Sequence, residues 1–449
     1  MPRSYDLVVI GSGTAAQVAI SRVSAVGWKV AMIDHRPFGG TCALRGCDPK
    51  KLLVGGASAA DHVRRMHGRG ITGEVRIDWP QLMEFKRGFT DPIPQKQEHR
   101  YAGQGVDIYH GLAKFAGRTT VEVEGHPLNF AHALLASGAE PVRLAIPGAE
   151  HLITSEQFLS LQELPPRIVL VGGGYIAAEF SHIAARAGAR VTVLQRGERI
   201  LKHFDADVAG WLMEAFTALG IDVRTNTNVE EIEQTGGSYR VLASQNGVKI
   251  SVPADLVIHA AGRTPALDML DLDAGGVSVE NGRLKLNDYL QSVSNPAVYA
   301  AGDAAQKGPP LTPVSSHDAK VVAANLLGGN QQKPDYTAVP SVAFTIPPIA
   351  AVGLSEADVR KSGRRFRAKT QKASGWFTAR QAAEPVYGFK VLVEESSDRI
   401  LGAHLVGPHV DEVINVFALA IRQGLTAENL KTTMFAYPTG SSDIGYMLG

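Results

Sequence analysis

Two strand, Gly-rich turn, helix, strand units of equal spacing and a change of pattern from about Val339 predict an α/β protein. Its expected architecture is two Rossmann-like dinucleotide-binding domains plus a C-terminal α+β domain. The chain has 449 residues, 45% of them hydrophobic and 20% charged, enough for several cores at about 150 residues per domain and too apolar for disorder. Lys and Arg total 45 against 44 Asp and Glu, so neither a nucleic-acid-binding tail nor a polybasic membrane anchor is expected. No apolar run approaches the roughly 18 to 20 residues that cross a bilayer, and the start from Met1 lacks a signal-peptide layout. A cytoplasmic protein without membrane or nucleic-acid partners is expected.

The first unit begins with the apolar strand Leu7-Val8-Val9-Ile10, turns at Gly11-Ser12-Gly13-Thr14-Ala15-Ala16, and passes through a helix to the strand ending at Asp34. The second begins at Arg167-Ile168-Val169-Leu170-Val171, turns at Gly172-Gly173-Gly174-Tyr175-Ile176-Ala177, and reaches Val191-Thr192-Val193-Leu194 and then Gln195 and Arg196. Gly11 to Asp34 and Gly172 to Gln195 are each 23 positions, which identifies an internal duplication. A lone G-x-G-x-x-[GA] is weak, but both copies follow a strand and open a helix. The first glycine (Gly11, Gly172) permits the tight turn, and the second (Gly13, Gly174) lets backbone approach a pyrophosphate. Ala16 and Ala177 hold the last position of each fingerprint and join the expected cofactor-binding residues, and the helix N-terminus supplies amide donors. Between the units, residues 62–110 read as helical and charged, and Val121 to Leu135 as a hairpin running into Ala136-Ser137-Gly138. Asp255 to Arg263 and Ala297 to Asp303 read as strands ending at glycine, and helices are expected near Asp411 to Gln423 and Thr426 to Leu430.

Asp34 can accept hydrogen bonds from a ribose diol, which suits an unphosphorylated adenosine such as that of FAD or NAD. Gln195 does not repel a 2′-phosphate and Arg196, with Lys202 nearby, can pair with one, which suits NADPH better than NADH. Each can also be read as a solvated strand end. The only two cysteines, Cys42 and Cys47, stand in Gly39-Gly40-Thr41-Cys42-Ala43-Leu44-Arg45-Gly46-Cys47-Asp48-Pro49-Lys50-Lys51. Two thiols are too few for a zinc site or a disulfide scaffold, so no metal site is expected. So close together they can cycle between dithiol and disulfide, and a cation such as Lys50 favours the thiolate; the alternative is a pair of small buried residues.

With these segments the whole chain resembles the flavoprotein disulfide reductases of the glutathione reductase and dihydrolipoamide dehydrogenase type. Ala136-Ser137-Gly138 looks like that family's hinge after the hairpin, and Ala300-Ala301-Gly302-Asp303 like its second flavin motif. Leu311-Thr312-Pro313-Val314 looks like its helix start beside the flavin ring, and Phe344-Thr345-Ile346-Pro347-Pro348 like the opening of its dimerisation domain. The resemblance implies FAD-binding segments at 1–145 and 266–335, an NAD(P)H-binding domain at 146–265 and a dimerisation domain at 336–449 of a homodimer. It implies that Cys47 forms the charge-transfer thiolate beside FAD, that Cys42 attacks substrate, and that Lys50 pairs with Glu179 near the flavin. Tyr175 would cover the flavin until the nicotinamide displaces it. Thr41, Ser137, Gly138, Asp303, Thr312 and Arg263 join the expected cofactor contacts.

The ending departs from the family's His-Pro motif and its glutamate five positions on. Here Tyr437-Pro438 replaces it, with Ser442 at the glutamate position and Asp443 next to it. A phenol, with a reference pKa near 10, can donate a proton to a leaving thiolate but is a poor base at neutral pH. Mercuric reductases also carry a tyrosine in that region, but add a cysteine pair for which this sequence has no counterpart. The arginines that hold glutathione in its reductases are replaced by Ser21 and Lys320. The expected activity is electron transfer from NADPH through FAD and the Cys42/Cys47 disulfide to a small-molecule disulfide or a thiol-ligated acceptor. A mercuric-reductase-like enzyme using Cys42, Cys47 and Tyr437 on a metal ion is one alternative. A flavin-bound redox sensor without turnover is the other.

Overall fold

The computed structural model describes residues 3–449, in two compact units; Met1 and Pro2, the first two positions of the expected FAD-binding domain, lie outside the described residues. The first unit takes the chain up to Lys50, Phe85–Val142 and Arg263–Tyr336. Its sheet runs in the order Asp107–His110, Val30–Asp34, Arg3–Ile10, His126–Leu135, Thr120–Val123, Ala113–Gly117, and Val298–Ala300 also pairs with His126–Leu135. The central pairs are parallel, with Ile10 opposite both Ile33 and Leu135, and Ala300 opposite Leu135. That register brings Gly11, Asp34, Ala136 and Ala301 out at the same carboxyl edge, where open α/β sheets bind ligands. Leu7, Val8, Val9 and Met32 are fully buried, as parallel strands covered on both faces require. The helix Thr14–Ser24 turns Ala15, Ala16, Ala19, Ile20 and Val23 inward at three- and four-residue spacing. Burying Ile20 and Val23 contributes roughly 1.5 to 3 kcal/mol each.

Residues 62–110 are only partly helical. Helices Cys47–Met66, Trp79–Thr90 and Ile93–Gly103 are followed by the strand Asp107–His110, which pairs in parallel with Val30–Asp34. Four residues carry too little periodicity to declare a strand, and the neighbouring edge decides their state.

The second unit comprises Lys51–Glu84, Arg143–Gly262 and Thr337–Gly449. It repeats the parallel design in the order Asp222–Arg224, Arg190–Leu194, Arg167–Val171, Leu256–His259, with Val171 opposite Leu194 and His259. A three-stranded antiparallel meander spans Thr227–Ala254. A five-stranded antiparallel sheet begins at Ser341–Ala343 and is packed by the helix Val410–Gln423 through Val413, Ile414, Phe417 and Ala420. Among the described residues no helix is long and apolar enough to cross a membrane, and no His, Cys, Asp or Glu cluster is arranged to hold a metal ion.

Candidate active site

In the first unit, Gly11 has φ 108°, and a Cβ there would stand 2.2 Å from the Ala136 carbonyl oxygen. The glycine therefore serves the close approach of two strand ends as well as the turn. Ser12 donates from its backbone N (2.9 Å) and its Oγ (2.6 Å) to Asp34 Oδ2, and Gly39 N donates to Ser12 Oγ at 3.1 Å. Sequence reasoning passed over Ser12, a variable position of the fingerprint, although it joins the fingerprint, the acid and the start of the thiol segment. Gly13 is the N-cap of the helix Thr14–Ser24 and offers no side-chain cap, so the first amides remain for a ligand. Ala16 is buried, Thr41 is half-buried, and the buried Ser137 Oγ has no hydrogen-bond partner among the described residues.

Asp303 follows Gly302, whose N donates to Asp318 Oδ2 at 3.0 Å, while Tyr336 OH donates to Asp318 Oδ1 at 2.8 Å. Asp318, fully buried and absent from the expected set, thus anchors the turn that presents Asp303. Burial raises the Asp303 carboxyl pKa and Arg263 opposes the shift; Arg263 itself donates to the Ala139 carbonyl beside Gly138. Uncapped helix amides, a free buried hydroxyl at Ser137 and a half-buried carboxylate at Asp303 fit a dinucleotide with a polyhydroxyl chain.

The thiols lie in the same unit, Cys42 on the short helix Gly40–Arg45 and Cys47 opening the helix Cys47–Met66. Both are free. Thr312 Oγ1 donates to Cys42 Sγ at 3.2 Å and shares a 3.3 Å hydrogen bond with Cys47 Sγ.

Residues 5–319 match the model of the pyridine nucleotide-disulphide oxidoreductases, and residues 339–447 match that of their dimerisation domain. The chain belongs to the pyridine nucleotide-disulphide oxidoreductase family. It is a flavoprotein oxidoreductase with FAD and a disulfide redox centre, and the dimerisation domain supports a homodimer. The oxidoreductase is 33% identical to a mercuric reductase of Staphylococcus aureus over 97% of this chain and 80% of that protein. It is also 33% identical to a glutathione reductase of Burkholderia cepacia, over 97% and 96%. The HOCl-induced flavoprotein disulfide reductase RclA of Escherichia coli, solved as a Cu(II) complex, superposes with a TM-score of 0.90 at 27% identity, covering 100% of this chain and 99% of RclA.

The two thiols of the oxidoreductase differ in acidity. Cys47 is pulled down to about 6, first by the hydrogen bond from Cys42, with Thr312 and the Lys50 charge adding to it against burial and Asp48. Cys42 moves up, first through its bond to Cys47 and then through burial. Cys47 is therefore the thiolate at neutral pH. Its value lies below that of an unfolded cysteine, near 8.5, so the thiolate favours the folded state above that pH, and the contribution is lost as pH falls through about 6. Asp48→Val removes a like charge and lowers the Cys47 pKa further. Iodoacetamide alkylation of Cys47 followed against pH should show an acid-shifted midpoint, and an unchanged or raised midpoint would refute the repulsion.

The second unit of the oxidoreductase holds the other expected residues. Gly172 has φ 118° with a Cβ position 2.1 Å from the Ala260 oxygen, whereas a Cβ at Gly174 would meet nothing within 4 Å. Gly174 again leaves the following helix, Tyr175–Arg186, without a side-chain cap, and Ala177 is buried. These open amides fit a second dinucleotide. One face of that helix carries Tyr175, Glu179, His182 and Arg186. They bond in turn to the Ser341 side chain, Phe344 N (2.9 Å), Ile346 N (3.2 Å) and the Ile346 carbonyl (3.0 Å). His182 and Arg186 were not anticipated; charged residues at helical spacing read as a solvated face until the packed segment is known. Burial and Arg186 hold His182 neutral, with Nδ1 accepting from Ile346 N. Arg196 and Lys202 are exposed on a loop folded by Arg199, which donates to the Phe204 and Lys202 carbonyls at 2.8 Å.

Tyr437 is 77% exposed. Ser442 is engaged in a capping box with Thr439, and the buried Asp443 accepts from Tyr387 OH at 2.8 Å. Neither therefore stands free to serve as the missing glutamate.

Proposed function

We propose that this oxidoreductase passes electrons from NADPH, through FAD, to a Cys42–Cys47 disulfide, and that the resulting dithiol reduces a small-molecule disulfide or a thiol-ligated acceptor. The observation that carries this reading is Thr312 bridging two sulfurs of opposite acidity shift at 3.2 and 3.3 Å. FAD, when bound, supplies the two-electron relay between nicotinamide and sulfur. Gly11, Gly13, Ala16, Asp34, Thr41, Ser137, Gly138, Arg263, Asp303 and Thr312 hold that cofactor. Cys47 keeps the thiolate charge, favoured by Lys50, Cys42 attacks the acceptor, and Glu179 completes the catalytic set. Gly172, Gly174 and Ala177 receive the nicotinamide dinucleotide, and Tyr175 yields to its ring. We assign the FAD-binding domain to 1–145 and 266–335, the NADPH domain to 146–265 and the dimerisation domain to 336–449. A working dithiol suits a reducing compartment, which supports a cytoplasmic enzyme, and the matched dimerisation domain supports a homodimer.

The Arg196 guanidinium, with Lys202, selects NADPH by pairing with its 2′-phosphate. Arg196→Ala should lose about 1.5 to 3 kcal/mol of that preference, roughly ten- to a hundredfold in the ratio of kcat/KM for NADPH over NADH. Equal use of both dinucleotides by the unsubstituted enzyme would sink the assignment.

A second reading, reduction of a metal ion as substrate, is favoured by Tyr437 and by likeness to mercuric reductases and to the Cu(II)-bound RclA. NADPH consumption by the yellow protein against a panel of disulfides, Hg(II) and Cu(II) tests both. Turnover with disulfides supports the first reading and turnover with metal alone the second. Bleaching of the flavin without turnover on any acceptor would replace both with a redox sensor.

A further inference from the structure

Lys390, on the strand Gly388–Glu394 of the five-stranded sheet, has a side chain only 4% exposed. A buried charge is costly unless paired, and this one has three partners: its Nζ lies 3.0 Å from Asp205 Oδ2, 2.7 Å from Asp207 Oδ2 and 2.9 Å from Glu356 Oε2. Burial disfavours its charge, but the bonds to Asp207, Glu356 and Asp205 outweigh burial and raise its pKa, so Lys390 is a cation at neutral pH. The proposed electron path does not use it. What it grips is the far end of the loop joining the strand Arg190–Leu194 to the helix Ala206–Ala218, the loop that carries Arg196 and Lys202. Asp205 is the N-cap of that helix. Its Oδ1 accepts from Asp207 N at 3.0 Å and from Val208 N at 3.4 Å, while its Oδ2 accepts from Lys390.

The same loop is fixed from its other side by the second glycine turn. Leu201 N donates to the Gly173 carbonyl at 2.7 Å, and the Phe204 ring meets the Tyr175 ring edge to face at 5.6 Å. Ile200, Leu201 and Phe204 are buried, whereas Arg196 and Lys202 are exposed. The helix that follows is docked on the five-stranded sheet by contacts of its own: a Cβ at Gly388 would stand 2.4 Å from the Trp211 ring, and Lys372 pairs with Glu214. Lys390 therefore acts on the loop end, and the docking of the helix does not depend on it alone.

We propose that Lys390 is a positioning residue for dinucleotide choice, holding Asp205 so that the loop presents Arg196 and Lys202 to the 2′-phosphate of NADPH; the proposal rests on the reading of those two cations as the phosphate partners. A loop ordered before the anion arrives spares the binding step the entropy of ordering it, and that saving reaches only the dinucleotide that carries the phosphate.

The test is anaerobic bleaching of the flavin-loaded enzyme by NADPH or NADH, recorded as a limiting rate and a half-saturating concentration. Lys390→Met should raise the half-saturating concentration of NADPH about tenfold, with the limiting rate and both NADH values at those of the parent enzyme. An unchanged NADPH value, or an equal rise for both dinucleotides, would overturn the proposal. Lys372→Met, which removes the other ion pair between helix and sheet, should leave the preference intact; a loss as large as that of Lys390→Met would make Lys390 a docking residue and overturn it. Combining Lys390→Met with Arg196→Ala and Lys202→Ala should cost no preference beyond that of the two alanines, and a further full loss would overturn it. Should Lys390→Met not fold, Lys390→Met with Asp205→Asn keeps an N-cap side chain, removes the buried unpaired charge and carries the same expectations. If neither retains flavin, hydrogen exchange of the parent enzyme decides: amides of residues 199–205 as slow as those of the following helix support the clamp, and open-loop rates overturn it. Arg196→Ala with Lys202→Ala separates the two claims, since parent preference in that variant defeats the phosphate-pairing reading itself.

Discussion

Cys42→Ser enzyme loaded with FAD is expected to show a persistent long-wavelength absorbance from the Cys47 thiolate and to lose acceptor turnover by about 10³-fold or more. Cys47→Ser should lose turnover to the same extent and show no such band. The asymmetry follows from the lowered pKa of Cys47 and the raised pKa of Cys42, whose hydrogen bond is the largest influence on Cys47. A serine hydroxyl can still donate that bond, so in Cys42→Ser the band should fade as pH falls through the region near 6 where the thiolate takes up its proton. Absorbance spectra across pH and NADPH consumption with a disulfide read both effects. If each single variant keeps its turnover, the two cysteines are not the redox pair.

Tyr437→Phe should slow disulfide turnover by about 10²-fold, since a positioned acid or base contributes roughly 10² to 10⁴. Its rate of NADPH-dependent bleaching should stay that of the parent, because bleaching precedes the acceptor. A variant that loses Hg(II) handling but keeps disulfide turnover would make Tyr437 a contact for a metal substrate. One that changes neither would make it a surface tyrosine of the dimer, consistent with its 77% exposure in one chain. Tyr437→His with Ser442→Glu goes further. Ser442 is the third residue after the Thr439 cap, the position at which glutamate completes a capping box, so the local turn accepts the change. A gain in ordinary disulfide turnover would show that the acceptor site retains the family's geometry. With no gain and intact stability, attention would turn to His317, whose Nε2 accepts from Asp335 N at 2.9 Å, and to the exposed Lys320.

Much of the fold was legible because its signals are local. Gly11 and Gly172 sit where φ is 108° and 118°, the strands before them are continuous apolar runs, and the helices after them show three- and four-residue spacing. Asp107–His110 was not legible as a strand, since four residues carry no usable period and the partner edge settles their conformation. At the site, the glycines, Asp34 and the cysteine spacing were readable, while Ser12 and Asp318 were not, because their hydrogen bonds depend on which loops the sheet brings together.

The amino-acid sequence by itself therefore determined the duplicated dinucleotide design, the family and the two candidate thiols, since each is written in residues a few positions apart. Only the tertiary structure decided that one hydroxyl touches both sulfurs from 265 and 270 positions away, that Asp318 holds the turn before Asp303, and that Asp443 is committed to Tyr387. These are contacts between distant segments, and a side chain's hydrogen-bond partner is set by the packing that surrounds it once the chain has folded, which local spacing does not encode.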